Sequence, residues 1–251
     1  MTIVYLFMGI IIIYKIPDII RWFIKLVHCM YLFIGDLIKT RDEHRKGIYK
    51  FNRYGLIMFV GRQGQGKTIS LVNYAKECKE QFPKLQIYAN FKCNFADGQI
   101  ESLNDLIKIR NGEDGVLFLI DELQNEFSSA VSKDFPETLL SVITMQRKQR
   151  IHIAASSQVF MRVAKPIREQ CFQVVECRTF LNRWTVNRCY DAIDYNSVAE
   201  STSLESKQKL IKLWKKSYIQ TDELRNCYDT YEVVQRISRQ GFAKKFDLDL
   251  S

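Results

Sequence analysis

Histidine is scarce in this chain. His28, His44 and His152 are the only three, and no Cys-x-x-Cys pair stands near any of them. The seven cysteines, at positions 29, 78, 93, 171, 177, 189 and 227, show neither zinc-ligand spacing nor a paired framework. A zinc module and a secreted disulfide scaffold are therefore excluded, and an odd set of unpatterned thiols suits a reducing compartment. Gly/Ser-rich and Pro-rich linkers are missing, and no internal repeat is evident. A cleaved signal peptide is not expected, because no basic segment precedes the apolar start and no small-x-small site follows it. Acidic residues are in deficit, 28 against 37 basic ones, for a net charge of +9. That balance favours a polyanionic partner, either nucleic acid or an anionic membrane face. With 47% hydrophobic and 26% charged residues the chain is globular in composition, and 251 residues suffice for one sizeable domain with appendages.

What the chain has in excess is apolar sequence at its start. Thr2 to Tyr14 is uninterrupted but shorter than the roughly 20 residues a bilayer-crossing helix needs. Beyond it, Arg21, Lys25 and His28 share one helical stripe, with Ile20, Phe23, Ile24, Val27, Met30, Tyr31 and Ile34 covering the rest. Two membrane arrangements fit: a short span followed by an interfacial helix, or a re-entrant hairpin pivoting near Pro17. A helix pair used in oligomer packing is the alternative. Lys39, Arg41, Arg45, Lys46, Lys50 and Arg53 follow, and by the positive-inside tendency they hold the remainder in the cytoplasm.

Tyr54 to Val60, YGLIMFV, reads as a strand buried on both faces of a parallel sheet. It runs into Gly61-Arg62-Gln63-Gly64-Gln65-Gly66-Lys67-Thr68, which fits G-x-x-x-x-G-K-[ST] at every fixed position. A helical pattern follows through Ile69, Val72, Ala75 and Cys78. Glycines let successive N–H groups approach a phosphate, and the helix N-terminus adds positive charge. The expected nucleotide contacts run from Gly61 to Ile69. Lys67 is assigned to the β- and γ-phosphates and Thr68 to Mg²⁺.

Val116 to Ile120 is a second buried strand, ending in Asp121 and Glu122. Asp121 is expected in the Mg²⁺ shell and Glu122 as general base or orienter of the attacking water. No N-K-x-D guanine signature appears downstream, so ATP is the expected nucleotide. Ile151 to Gln158 is a third strand, placing Gln158 where it could contact the γ-phosphate or the lytic water. Ile87 to Phe91 and Phe172 to Phe180 read as further strands. Between the second and third strands, PETLLSVITMQRKQR reads as an amphipathic helix ending in Arg147, Lys148 and Arg150. Arg147 and Arg150, with Arg162 and Arg168 as further candidates, could neutralise transition-state charge on a neighbouring subunit's γ-phosphate.

This set of motifs resembles the FtsK–HerA branch of P-loop motor ATPases. Within it, LFLIDELQNEF followed by MQRKQRIHIAASSQVFMRVAKPIRE looks most like the zonular occludens toxin family, which includes the filamentous-phage assembly ATPases. The resemblance covers roughly Leu56 to Tyr190. It implies a RecA-like fold, a homo-oligomeric ring such as a hexamer, and a role in extruding or packaging phage DNA at the host inner membrane, with other phage assembly proteins as partners. By motif match, Lys67, Thr68, Asp121, Glu122 and Gln158 take the family's roles. Two departures stand out: the apolar segment precedes the ATPase region instead of following it, and Arg62-Gln63 occupies a place where the family often has Pro or Ser.

Two segments remain. FQVVECRTFLNRWTVNRCYDA reads as an antiparallel hairpin around Leu181-Asn182 at the edge of the sheet. Glu205 to Gln220 reads as a basic amphipathic helix suited to DNA phosphates or anionic lipid. The expected fold is thus α/β: a P-loop NTPase with a mainly parallel sheet flanked by helices and an antiparallel edge hairpin, preceded by a hydrophobic helical membrane segment. Expected divisions are 1–40 membrane-associated helices, 41–53 basic linker, 54–200 ATPase domain, and 201–251 basic helix and tail. The expected function is a membrane-anchored ATP-hydrolysing motor, with an ATP-binding assembly scaffold lacking motor activity as the alternative.

Overall fold

Unbroken apolar runs cannot leave either face to water, so they end up in the middle of a sheet covered on both sides. In the computed structural model, which describes residues 2–45, 50–127, 146–200 and 210–229, this is what the runs do. The chain divides into two units, Met1–Tyr49 and Lys50–Ser251.

The first unit is one helix, α1 (Thr2–Arg45), continuous through Pro17. The expected pivot near Pro17 and the expected pair of helices are therefore corrected to a single 44-residue helix. Proline removes one helical hydrogen bond, yet the turns around it remain helical. At 1.5 Å per residue the helix is about 66 Å long. From Ile16 onward its large apolar side chains, among them Trp22, Phe23, Tyr31 and Phe33, are exposed. Among the described residues, no helix is long and apolar enough to cross a membrane.

The second unit is built on β1 (Gly55–Val60), α2 (Lys67–Gln81), β2 (Gln86–Ala89), β3 (Lys92–Cys93), β4 (Gly98–Gln99), α3 (Leu103–Lys108), β5 (Val116–Ile120), α4 (Leu123–Glu126), α5 (Gln146–Gln149), β6 (Ile151–Ser157), α6 (Lys165–Glu169), β7 (Cys171–Phe180), β8 (Trp184–Asp191), α7 (Ala192–Glu200), β9 (Lys212–Ile219), α8 (Asp222–Arg225) and β10 (Tyr228–Asp229). Eight strands form one sheet in the order β4-β2-β5-β6-β1-β7-β8-β9, and β10 pairs with β3 separately. The strands from β4 to β7 are parallel, while β8 and β9 are antiparallel to their neighbours.

Successive residues of each central strand serve opposite cores. Leu56, Met58 and Val60 join Val116, Phe118 and Ile120 on one face, which Leu106, Ile167 and Ala192 cover. Ile57 and Phe59 join Leu117 and Leu119 on the other, against Ile69, Leu71, Val72 and Ala75 of α2. Each such side chain fully buried contributes about 1.5–3 kcal/mol. The helix α2 runs on until Phe82, whose N–H still bonds to Cys78 O at 2.9 Å. Pro83 then forbids continuation, since the residue before proline is forced out of the α region.

Three expectations in this unit change. The strand over Ile87 to Phe91 spans Gln86–Ala89. The β7–β8 hairpin is present and turns through Leu181 and Asn182, at φ of 49° and 56°, but it does not form the edge. The edge is β9, a strand where a helix was expected. Its Trp214 and Tyr218 pack on the core at alternate positions, and pairing with β8 satisfies its backbone. The helical reading relied on Leu210, Leu213 and Trp214 at i, i+3 and i+4, yet Leu213 is half exposed. Period two prevails here because β8 otherwise presents an unpaired edge. The expected amphipathic helix before Arg150 falls mostly outside the described residues, apart from its last turn, α5.

Candidate functional site

The parallel topology brings all the loops after the strands to the carboxyl ends of the sheet, where ligands of open α/β sheets bind. The loop after β1 occupies that end. Gly64 and Gly66 lie at φ of 79° and 80°, the left-handed region that suits glycine. Gly66 is also the N-cap of α2. A Cβ there would come within 2.5 Å of Thr179 Oγ1 and 3.2 Å of Thr185 Oγ1, so glycine is required by space as well as by conformation. The loop is held by Gln65 N–H donating to Arg62 O at 3.2 Å, and by Thr179 N–H donating to Gln65 Oε1 at 3.3 Å.

A cavity of about 810 Å³ opens over this loop. Of the residues expected to hold nucleotide, Gln63, Gly64, Gly66, Lys67, Thr68 and Ile69 line it, together with Asp121, Glu122 and Gln158. Gly61, Arg62 and Gln65 belong to the loop but do not line the cavity. Ile69 reaches the cavity but is itself 3% exposed and serves the core.

The strand order explains how the acid pair arrives. One strand, β6, lies between β1 and β5, so the end of β5 stands across β6 from the loop. Ser156 of β6 bridges the gap: its hydroxyl donates to Asp121 Oδ1 and accepts from Glu122 N–H at 3.0 Å. Asn90 completes the frame, accepting from Asp121 N–H at 2.8 Å and donating to Asp121 O at 3.1 Å. Thr68 Oγ1 is 3.1 Å from each Asp121 oxygen and donates to the carboxylate. Lys67 Nζ stands 3.8 Å from Glu122 Oε1. Glu122 holds φ at 51°, a conformation costly for a non-glycine residue, which points its carboxylate toward Lys67 and Gln124.

Burial pushes the Asp121 carboxyl above the usual carboxylate range, and the neighbouring Glu122 charge adds to this. Hydrogen bonds from Ser156 and Thr68, and the charge of Lys67, pull it back. A carboxylate this deeply buried beside a threonine hydroxyl suits a hard divalent cation, which would compensate its charge.

The arginines expected to act on phosphate are distributed differently. Arg150 precedes β6 at the opposite end of the sheet, where it donates to Phe51 O at 3.1 Å and Glu113 O at 3.3 Å. Arg147 lies near the same end, its guanidinium 5.6 Å from the centre of the Tyr54 ring. A seven-residue strand puts that end roughly 23 Å from the loop of the same chain. Arg168 donates to Asn196 Oδ1 at 3.0 Å and stacks over Phe160. Arg162 is exposed just beyond Gln158.

Sequence reasoning missed the other half of the cavity wall: Thr179 and Asn182 of the hairpin, and Gln220, Arg225 and Tyr228 of the segment after β9. A signal was available. Thr221-Asp222-Glu223 is a helix-start pattern, and Thr221 does accept from Leu224 N–H at 3.2 Å.

Residues 57–179 match the family model described as "ATPase family associated with various cellular activities (AAA)". No curated protein matches the chain. Among solved structures, the N-terminal domain of zonular occludens toxin from Neisseria meningitidis aligns with a TM-score of 0.53 at 14% identity, covering 70% of this chain and 98% of that one. The genome-packaging NTPase B204 from Sulfolobus turreted icosahedral virus 2, solved with ATP-gammaS, aligns with a TM-score of 0.43 at 11% identity over 55% of this chain and 92% of that one. The fold is that of the toxin's N-terminal domain, and the matched segment is a P-loop ATPase domain.

Proposed function

We propose that the chain is an ATP-driven motor that moves phage or viral DNA during packaging, extrusion or virion assembly, working as a homo-oligomeric ring. The observation that carries the ATPase part is the convergence of Lys67, Thr68, Asp121, Glu122 and Gln158 on one cavity. The net charge of +9 and the resemblance of the motif set to the phage assembly ATPases support the DNA-directed part.

In this reading Thr68 and Asp121 would hold Mg²⁺, which would supply positive charge against the phosphates. Lys67 fixes the phosphates through its ammonium. Glu122 accepts a proton from the attacking water, and its hydrogen bond from Gln124 keeps the carboxylate aimed. Gln158, between the loop and the acid pair, senses the terminal phosphate and passes the change along β6. An arginine of a neighbouring subunit supplies further charge, Arg147, Arg150, Arg162 and Arg168 being the candidates. The exposed apolar face of α1 is covered by the host inner membrane, with the ATPase domain on the cytoplasmic side. The basic residues from Lys39 to Arg53 support that orientation.

The test is the ATPase rate of detergent-solubilised full-length protein with and without single- and double-stranded DNA, beside Lys67→Ala. Stimulation of several-fold by one DNA form, lost in Lys67→Ala, is the expected result. Bound ATP with negligible turnover under every condition would replace the motor by an ATP-binding assembly scaffold.

A further inference from the structure

The cavity holds a cation that no motif announces. Among its described lining residues the positive side chains are Lys67 and Arg225. Arg225 ends α8, a single turn fixed on every side. Leu224 is 4% exposed against the α2 face of the core. Glu223 pairs with Lys76 of α2 at 2.7 Å, and Asp222 with Arg183 of the hairpin turn at 2.7 Å. Beyond it, β10 pairs with β3, so the chain from Gln220 to Asp229 runs as a strap from the β9 edge across α2.

The guanidinium is oriented as firmly as its helix. Its Nε and Nη2 donate to Gln220 Oε1 at 3.1 and 2.7 Å, and Nη2 also donates to the Asn182 carbonyl. Gln220 is 5% exposed and is itself locked by donating to Thr185 Oγ1 at 2.8 Å. Among the described residues nothing accepts from Nη1. The anchor also fixes which end of the cavity is served: Gln220 Nε2 lies 3.3 Å from where a Cβ of Gly66 would stand, against the N-terminus of α2. That is the phosphate end, where the loop glycines and Lys67 converge.

We propose that Arg225 binds the terminal phosphates of ATP within its own chain, as a second phosphate-directed cation opposite Lys67, with Gln220 and Asn182 as its positioning partners. This rests on the cavity being the ATP site. With three N–H donors fixed by Gln220 and Asn182, the two on Nη1 are left for a phosphate, an orientation that the freely rotating ammonium of a lysine does not hold. The strap makes nucleotide binding depend on the C-terminal segment, which lies beyond the matched residues 57–179.

Titration of full-length protein with fluorescent analogues of ATP, ADP and AMP tests this in wild type, Arg225→Ala, Arg225→Lys and Lys67→Ala. Arg225→Ala should weaken ATP about tenfold more than AMP. Arg225→Lys should recover only part of that difference, and the ATP loss should be the same in dilute and concentrated protein. Equal loss for all three nucleotides, or none, overturns the proposal, as does a loss seen only in concentrated, assembled protein. Should Arg225→Ala fail to fold, the Arg225→Lys comparison of ATP with AMP decides alone. If Lys67→Ala also leaves ATP binding unchanged, the cavity is not the ATP site and the underlying reading fails with it.

Discussion

The two ends of the central strands both bury polar and charged groups, but they treat them differently. At the amino ends, His152 is enclosed between Tyr74 OH, 2.8 Å from Nε2, and Gly55 O, 2.9 Å from Nδ1. A carbonyl can only accept, so Nδ1 carries the proton and Nε2 accepts from Tyr74. Arg53 donates to Gln81 Oε1 at 2.7 Å and to Cys78 Sγ, and Arg150 to two backbone carbonyls. Every acceptor there belongs to the fold. At the carboxyl ends, Lys67 and Asp121 are each 6% exposed, yet both border a cavity wide enough for a nucleotide. His152 and Arg53 also border a cavity, of about 490 Å³, so the difference lies in the partnering: the amino-end groups are hydrogen-bonded into the fold, whereas Lys67 and Asp121 converge with the glycine loop on a cavity and are kept for a ligand.

The sharpest break in that contrast is Glu122→Gln. The substitution is nearly isosteric and leaves Asp121, Thr68 and Lys67 in place, so ATP should still bind while turnover falls by about 10²–10⁴, the range for losing a positioned base. Single-turnover hydrolysis beside a nucleotide-binding titration measures both. Turnover within a few-fold of wild type would move the general base elsewhere and leave Glu122 as a partner of Lys67.

A smaller effect is expected at the other end. Burial brings the His152 imidazole down to about 4, with the Arg53 charge acting in the same direction. The unfolded chain therefore binds a proton near pH 6.5 that the folded chain refuses until about pH 4, and stability falls as pH drops through that window. Between pH 7 and 5 the loss from this residue is about 2 kcal/mol. Urea unfolding at the two pH values should show it, and His152→Gln should flatten the difference while lowering stability at pH 7. An unchanged slope in the variant would assign the pH dependence to other groups.

The same contrast explains what was legible in the sequence. The nucleotide loop, the acid pair and Gln158 could be read because each is a short local pattern at the end of an apolar strand. The residues that complete the site could not. Asn90 and Ser156 act through the register of β2, β5 and β6, which spacing does not reveal. Thr179, Gln220 and Arg225 meet Gly66 only because β9 pairs with β8 and returns the chain to the cavity. Reading β9 as a helix sent its lysines to a partner and hid that return. The basic pattern KLWKK satisfies both periods, and only the open edge of β8 decides between them. The continuity of α1 through Pro17 was hidden for the opposite reason: a local rule for proline was given more weight than the helical propensity on both sides.

The smallest expected effect separates the ends most finely. Arg147 is exposed and stacks on Tyr54, a contact contributing about 0.5–1 kcal/mol at a surface. Standing at the amino ends of the strands, it cannot reach the phosphates bound in its own chain. Arg147→Ala should therefore leave ATP affinity unchanged in dilute protein and shift unfolding only slightly. Its effect on turnover should appear with assembly alone, because only a neighbour could present this arginine to a bound phosphate. Measuring ATPase rate against protein concentration tests this: a variant that loses the rise with concentration places Arg147 at a subunit boundary. One that keeps the full rise makes Arg147 a structural partner of Tyr54 and leaves Arg162, at the carboxyl end beside Gln158, as the better placed of the exposed candidates.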